Sequence, residues 1–383
     1  MLALVLVGSN FLAYGTTERV ARRWGAHEPA AAGNVAVQAN WVAFFIGTAA
    51  VLLLLLLAPL LCSLLGARNG VLNVAVLYLR ISAIGVPFVI LSLAGQGALR
   101  GVSDYRTPLI VAVAANVINV VVEVVFVFGF DLGVAGAAWS TVIAQAIAGL
   151  ALWSRSWSLT LRANVRRPSW NEIWPLLDAG RHLLLRVTAM LIVFTGATSL
   201  AARVDEETLA AHQIAVVVFL FLALTLDALA VPSQTLVAEE LGRDDSSTAG
   251  DVAARALRMS LLLGGGLAVL LAALTPLIVR GFTADPAVVN QAQVALWFLA
   301  VTLLPASVAF ATDGSLIGAA DYRFLGGAAV GYLLLVAPIA AVVLVVDLGI
   351  AGIWTGLLVW MIARAVVNNQ RSNHVLGRAG RLT

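Results

Sequence analysis

Three polar residues share one side of an otherwise apolar stretch. Asn116, Asn119 and Glu123 lie among Val, Ala, Ile and Phe between residues 108 and 130. Their offsets of 3, 4 and 7 place them on one face of a helix. An ionisable group in hydrocarbon costs about 2.5–3.5 kcal/mol on insertion scales, so its presence calls for a reason. A carboxyl enclosed by apolar helices can take up and release a proton, and the two amides can hydrogen-bond either protonation state. The other reading is a structural hydrogen bond between helices, worth about 0.6 kcal/mol on average.

Other polar residues stand more singly. Arg80 lies inside the apolar stretch 72–99 and either snorkels to the surface or pairs with an acid. Asp178, Arg186, Asp227 and Asp313 fall toward the same ends of helices in the second half. They are expected to close the cytoplasmic side as a polar cluster, with contact to a transported compound as the second reading. Gln96, Gln145, Gln213 and Gln234 either face a cavity or join helices. Pro87, Pro232, Pro305 and Pro338 lie inside spans, where they kink helices. His27, His182, His212 and His374 lack metal-ligand spacing, and no Ser/His/Asp grouping shares one depth. Gly264-Gly-Gly266 lacks the Lys-Ser/Thr of a phosphate loop. Cys62 is the single cysteine, which excludes an intrachain disulfide and a cysteine-based metal site. The chain therefore reads as neither an enzyme nor an ATP-driven pump. No cofactor or metal is expected beyond a proton or sodium ion as coupling ion.

The elements that must position these residues are membrane helices. Hydrophobic residues make up 61% of the 383 and charged residues 11%, against about 25% charged in a soluble domain. Taking about 20 apolar residues per span, the sequence predicts eleven helices, near 1–18, 35–65, 72–99, 108–130, 134–154, 174–202, 209–234, 256–281, 289–318, 325–346 and 349–370. The segment 156–173, with Arg162, Arg166, Arg167 and Pro168, reads as a cytoplasmic linker. All 23 basic residues are arginine and sit in short loops rather than one patch, which argues against nucleic acid as a partner.

The chain repeats itself at a spacing of 217 residues. Gly97-Ala-Leu-Arg-Gly-Val-Ser-Asp-Tyr-Arg106 returns as Gly314-Ser-Leu-Ile-Gly-Ala-Ala-Asp-Tyr-Arg323, and, at a spacing of 216, Asp131-Leu-Gly-Val-Ala-Gly136 returns as Asp347-Leu-Gly-Ile-Ala-Gly352. Two copies of one multi-helix unit are implied, a common plan among secondary transporters. They divide as an N-lobe at 1–155 and a C-lobe at 174–383, with Gly97 and Gly314, Tyr105 and Tyr322, and Gly136 and Gly352 expected at equivalent places. The second-copy counterpart of the Asn116–Glu123 helix, Phe324 to Val346, carries no charge, so the carboxylate is not a requirement of the scaffold.

Arginines concentrate on alternate loops, from Arg19, Arg22 and Arg23 to the tail Arg371, Arg378 and Arg381, while the opposite loops hold only Arg68, Arg203 and Arg280. The excess marks the cytoplasmic side and puts the C-terminus there, in the cell's inner (plasma) membrane. The helix at 174–202 has no partner in the first copy, so the first helix of a twelve-helix plan is expected to be missing.

The residues then become familiar. Asn119-Val-Val-Val-Glu123 followed by Phe126-Val-Phe-Gly-Phe-Asp-Leu-Gly-Val-Ala-Gly136 resembles the fifth helix and turn of multidrug and toxic compound extrusion (MATE) transporters, in the branch of the DNA-damage-inducible protein F. Phe11-Leu-Ala-Tyr-Gly-Thr-Thr17, Ala211-His-Gln213, Leu226-Asp-Ala-Leu229 and Asp313-Gly-Ser-Leu-Ile-Gly318 add to the resemblance. It implies an all-α polytopic fold of twelve helices in two lobes, of which eleven are present. It also implies export of small organic, often cationic or amphipathic compounds by a monomer in membrane lipid, in exchange for a proton (favoured) or sodium. Asn119 and Glu123 match an Asn and an acid of the family's cation site. Asn116 stands beside them, and Arg80, Gln145, Arg186, Gln213, Asp227 and Asp313 complete the candidates as cavity or gate residues. A flippase for a lipid-linked precursor, lined by several arginines, and an inactive remnant are the alternative readings.

Overall fold

A computed structural model describes residues 8–346 and 348–377. The start of the first expected span, Asp347, and the tail residues Arg378 and Arg381 lie outside the described residues. Helices run α1 (Phe11–Gly25), α2 (Pro29–Leu64), α3 (Asn69–Ala83), α4 (Val86–Gly101), α5 (Arg106–Val124), α6 (Gly133–Thr160), α7 (Trp170–Val204), α8 (Glu206–Gly242), α9 (Ser246–Phe282), α10 (Pro286–Gly318), α11 (Tyr322–Val346) and α12 (Gly349–Gly377). No strand occurs among the described residues. Ten of these segments, with α3 and α4 joined as one, are long and apolar enough to cross a membrane. The fold is that of a multi-pass membrane protein.

The apolar stretches locate the crossings, but the helices extend past them. α6 continues through Ser154–Arg155 to Thr160, and α12 continues through Asn368, Asn369 and Gln370 to Gly377. Backbone hydrogen bonding does not stop where side chains turn polar. The single span expected at 72–99 is broken at Ile84–Gly85, where Pro87 opens the second piece. Pro232, Pro305 and Pro338, by contrast, lie inside helices that run on without a break.

The chain forms two compact units that divide at Gly180–Arg181, inside α7 rather than at residues 156–173. The start of α7 belongs to the first unit because it packs on α1. Gly15 lies against Leu176 and Ala179, and a Cβ on Gly180 would stand 2.6 Å from the Phe11 ring. In the first unit α4 is central, touching α1, α2 and α6; in the second, α10 touches α8, α9 and α12.

The glycines show that these are the same arrangement twice. A Cβ on Gly97 would stand 2.8 Å from the Ala13 carbonyl oxygen, and one on Gly314 2.4 Å from that of Ala230. Gly101 meets Val20 as Gly318 meets Val237, and Gly33 meets the Leu159 carbonyl as Gly250 meets that of Leu376. Each contact recurs 217 residues on. Backbone strain recurs too, with positive φ at Ser103 (61°) and Ala320 (59°) and at His27 (57°) and Asp244 (58°).

The segment read as a linker is held firmly. Asn34, Gln38 and Trp41 stand one and two turns apart on α2. Asn34 Oδ1 accepts the amides of Asn164 (2.9 Å) and Val165 (3.0 Å). Gln38, fully buried, accepts the Ser169 amide at 3.0 Å and donates to the Arg167 carbonyl at 2.9 Å. Trp41 Nε1 donates to the Arg166 carbonyl at 2.9 Å. These side chains satisfy backbone groups that no helix ladder reaches.

Candidate functional site

The polar face of α5 opens onto a cavity of about 310 Å³ inside the first unit. Asn116 and Asn119 line it from α5, Ser92 from α4, and Thr141 and Gln145 from α6. Asn116 is exposed and donates Nδ2 to the Ala112 carbonyl at 2.8 Å, so its amide is partly spent on its own helix. The Asn119 and Gln145 carbonyl oxygens are buried without a hydrogen-bond partner among the described residues. A buried oxygen that loses water and gains nothing is unfavourable by about 1–3 kcal/mol. Two such oxygens at one cavity form an acceptor set suited to a cation, water or a donor group of a ligand.

The break between α3 and α4 makes room for one of them. Gln145 Oε1 lies so close over Gly85 that a Cβ there would be 1.9 Å from it. A side chain at 85 would drive Gln145 out of its place. Glu123 is half-buried one turn beyond Asn119, outside the lining of the cavity. Directly after it the helix widens into a π-turn over Val125–Gly129, with Phe130 N–H donating to the Val125 carbonyl at 3.0 Å. Such turns re-aim the residues beside them and are frequent at functional sites.

The second unit holds a different cluster. Asp313 on α10 accepts hydrogen bonds from Arg186 on α7, from Arg364 Nη2 at 2.8 Å and from Asn368 Nδ2 at 2.7 Å, both on α12. Tyr332 on α11 donates to Asn368 Oδ1 at 2.7 Å. Arg364 is 3% exposed and lies 4.8 Å over the Trp360 ring. Asp313 is thus bound by three side chains from two helices, α7 and α12.

Of the residues singled out in the sequence, the structure brings Asn116, Asn119 and Gln145 to one cavity and Arg186 and Asp313 to one ion pair. Arg80 and Gln213 are exposed, and Asp227 is half-buried outside the Asp313 cluster's pocket lining. Thr141, Arg364, Asn368 and Tyr332 were missed. The signal for Arg364 was its i, i+4 spacing to Asn368 at the end of an apolar span, where polar residues read as a tail.

The MatE family model matches residues 1–125 and 183–342. Protein DETOXIFICATION 43 of Arabidopsis thaliana is 34% identical over 331 residues, which cover 85% of this chain and 62% of that protein. DNA damage-inducible protein F of Escherichia coli strain K12 is 29% identical over 255 residues, covering 65% of this chain and 56% of that one. The chain spans 52–62% of the length of four such plant relatives. The solved structure of a MOP superfamily transporter from Pyrococcus furiosus superposes with a TM-score of 0.90 at 19% identity, over 98% of this chain and 86% of that one. At that identity the likeness concerns the fold.

Proposed function

Because the chain belongs to the MatE family, we propose that it serves cation-coupled export of small organic compounds, often cationic or amphipathic, by alternating access, with the proton favoured over sodium as coupling ion. The observation that carries this reading is the asymmetry of the repeat. Two copies share their glycine contacts, yet only the first places Asn119 and Glu123 where the second, over Phe324–Val346, has no charge. A carboxylate that the scaffold does not need is retained for the work it does. Glu123 takes and releases the coupling ion, and Asn119 and Asn116 offer hydrogen bonds to either state. Gln145, across the cavity from α5, supplies a further acceptor.

The setting is a plasma membrane, with the arginine-rich loops on the cytoplasmic side. The flippase reading asks for arginines free to hold phosphate, whereas Arg186 and Arg364 both donate to Asp313.

Export by Glu123→Gln in everted vesicles, with pH and sodium gradients varied separately, tests the proposal. The variant keeps the shape and loses titration, so gradient-driven export is expected to fall to the unenergised level while insertion and folding persist. Export with an unchanged pH dependence would return Glu123 to a structural role. Loss of sodium dependence instead would name sodium as the driver, since hard cations favour carboxylate over amide oxygen.

A further inference from the structure

A second cavity of the first unit, about 560 Å³, is walled by aromatic rings and ends at an arginine. Trp41 and Phe44 line it from α2, and Trp153 and Trp157 from α6, with ring centroids of the last two 4.9 Å apart. Phe44 and Trp157 are 58% and 46% exposed, so the groove opens outward. Arg166 lies at its end, where Nη2 donates to the Leu161 carbonyl at 3.3 Å. Among the described residues no carboxylate pairs with its guanidinium. The segment 161–169 carries Arg162, Arg166 and Arg167 and no acid.

The clamp from α2 gives this arginine a fixed origin. Trp41 lines the groove with its ring and holds the Arg166 carbonyl with its Nε1. The wall and the cation are therefore built by one contact.

The second unit is built without these aromatics. The cavity at the same place in the second unit is lined by Ala254, Leu257, Arg258 and Leu261, the counterparts of Val37, Asn40, Trp41 and Phe44 217 residues earlier. From α12 it is lined by Asn369, Ser372 and Asn373, where α6 of the first unit presents Trp153 and Trp157. The fold tolerates a polar pocket where the first unit has an aromatic one.

We propose that the first unit's groove binds an anionic phospholipid, with the phosphate on Arg166 and an acyl chain along Trp41, Phe44, Trp153 and Trp157. Tryptophan is favoured at the membrane–water interface. Guanidinium holds phosphate with paired, charge-assisted hydrogen bonds, and anionic lipid concentrates in the cytoplasmic leaflet. The site is separate from the cavity that Asn119 lines and does not depend on the role of Glu123.

Native mass spectrometry of the purified full chain, titrated with phosphatidylglycerol or phosphatidylcholine of the same chains, tests it. Wild type is expected to retain phosphatidylglycerol more tightly. Arg166→Gln should weaken that lipid about fivefold, the worth of one arginine near an anionic headgroup, and leave phosphatidylcholine unchanged. Trp157→Ala should weaken both lipids, and Arg258→Gln, at the counterpart cavity, neither. The Arg166 side chain takes no part in the clamp, so its variant should keep the wild-type melting temperature. Equal retention of the two lipids by wild type, no effect of Arg166→Gln, or an equal effect of Arg258→Gln would overturn the proposal. Displacement of phosphatidylglycerol by equimolar glycerol phosphate would also overturn it, because a chainless anion would then suffice.

Discussion

Asp313 is the residue on which two guanidiniums depend. Its replacement by Asn keeps the size and strands Arg364, 3% exposed, without a counter-charge. Breaking a buried pair from one side costs about 3–5 kcal/mol. Asp313→Asn is expected to lower thermal stability in detergent by that order, and a shift no larger than that of an exposed Asp285→Asn control would contradict the assignment. Asp104 illustrates the opposite regime, at the helix surface. Burial pushes its carboxyl up, but hydrogen bonds from the Thr107 hydroxyl (2.6 Å) and amide (3.0 Å), from the Arg106 amide, and the Arg155 charge outweigh it and hold it below the ordinary aspartate value. A lowered folded value means its contribution is complete above about pH 4 and is lost as pH falls through the folded value. Asp104→Ala should therefore reduce the melting temperature at pH 7 and converge with wild type on acidification. Parallel curves down to the lowest accessible pH would show that these hydrogen bonds do not act. Reading single residues from the sequence singled out Asn119, conspicuous in a run of Val and Ile, and Asn119 lines a cavity. It failed at Arg364, because a polar residue near a helix end looks the same whether water or a carboxylate receives it.

Among helices, contact distance is set by the smallest residues. Gly97 lets α4 reach the α1 backbone and Gly314 lets α10 reach α8, with a hypothetical Cβ 2.8 Å and 2.4 Å from a carbonyl oxygen. Gly97→Ala and Gly314→Ala should each destabilise by about 1–3 kcal/mol, as overpacking does, with the greater loss at Gly314. Gly331 on α11 has open space around it, so Gly331→Ala should stabilise by up to about 1 kcal/mol through helix propensity. Equal responses at all three, by thermal unfolding, would remove the close-approach argument. Helix existence was legible because apolar stretches of span length leave no other choice. Helix ends were not, since α2, α9 and α12 continue past the apolar zone by their own hydrogen bonds. The firm seating of residues 161–169 was hidden as well. Asn34, Gln38 and Trp41 carry the spacing of one face, but their partners are backbone groups, which leave no mark in a sequence.

For the whole molecule, the repeat was the strongest sequence signal and it reaches to individual contacts: Gly101 on Val20 and Gly318 on Val237. Its departures were legible only as differences in residue type. That the first copy's Asn119 shares a cavity with Gln145 on another helix, while the second copy's Asp313 is held by arginines, required the packing. Those departures bear on how the membrane voltage would drive the export proposed above. In that proposal Glu123 carries the coupling proton, while Asp313 is tied to two guanidiniums. Exchange of one proton for a neutral compound moves one net charge inward, which a potential of 100 mV favours by about 2.3 kcal/mol. Exchange for a monovalent cation moves none. The same chain would then be a voltage-driven machine for one cargo and a voltage-blind one for another, and its stoichiometry would be fixed by how differently its two halves have been furnished.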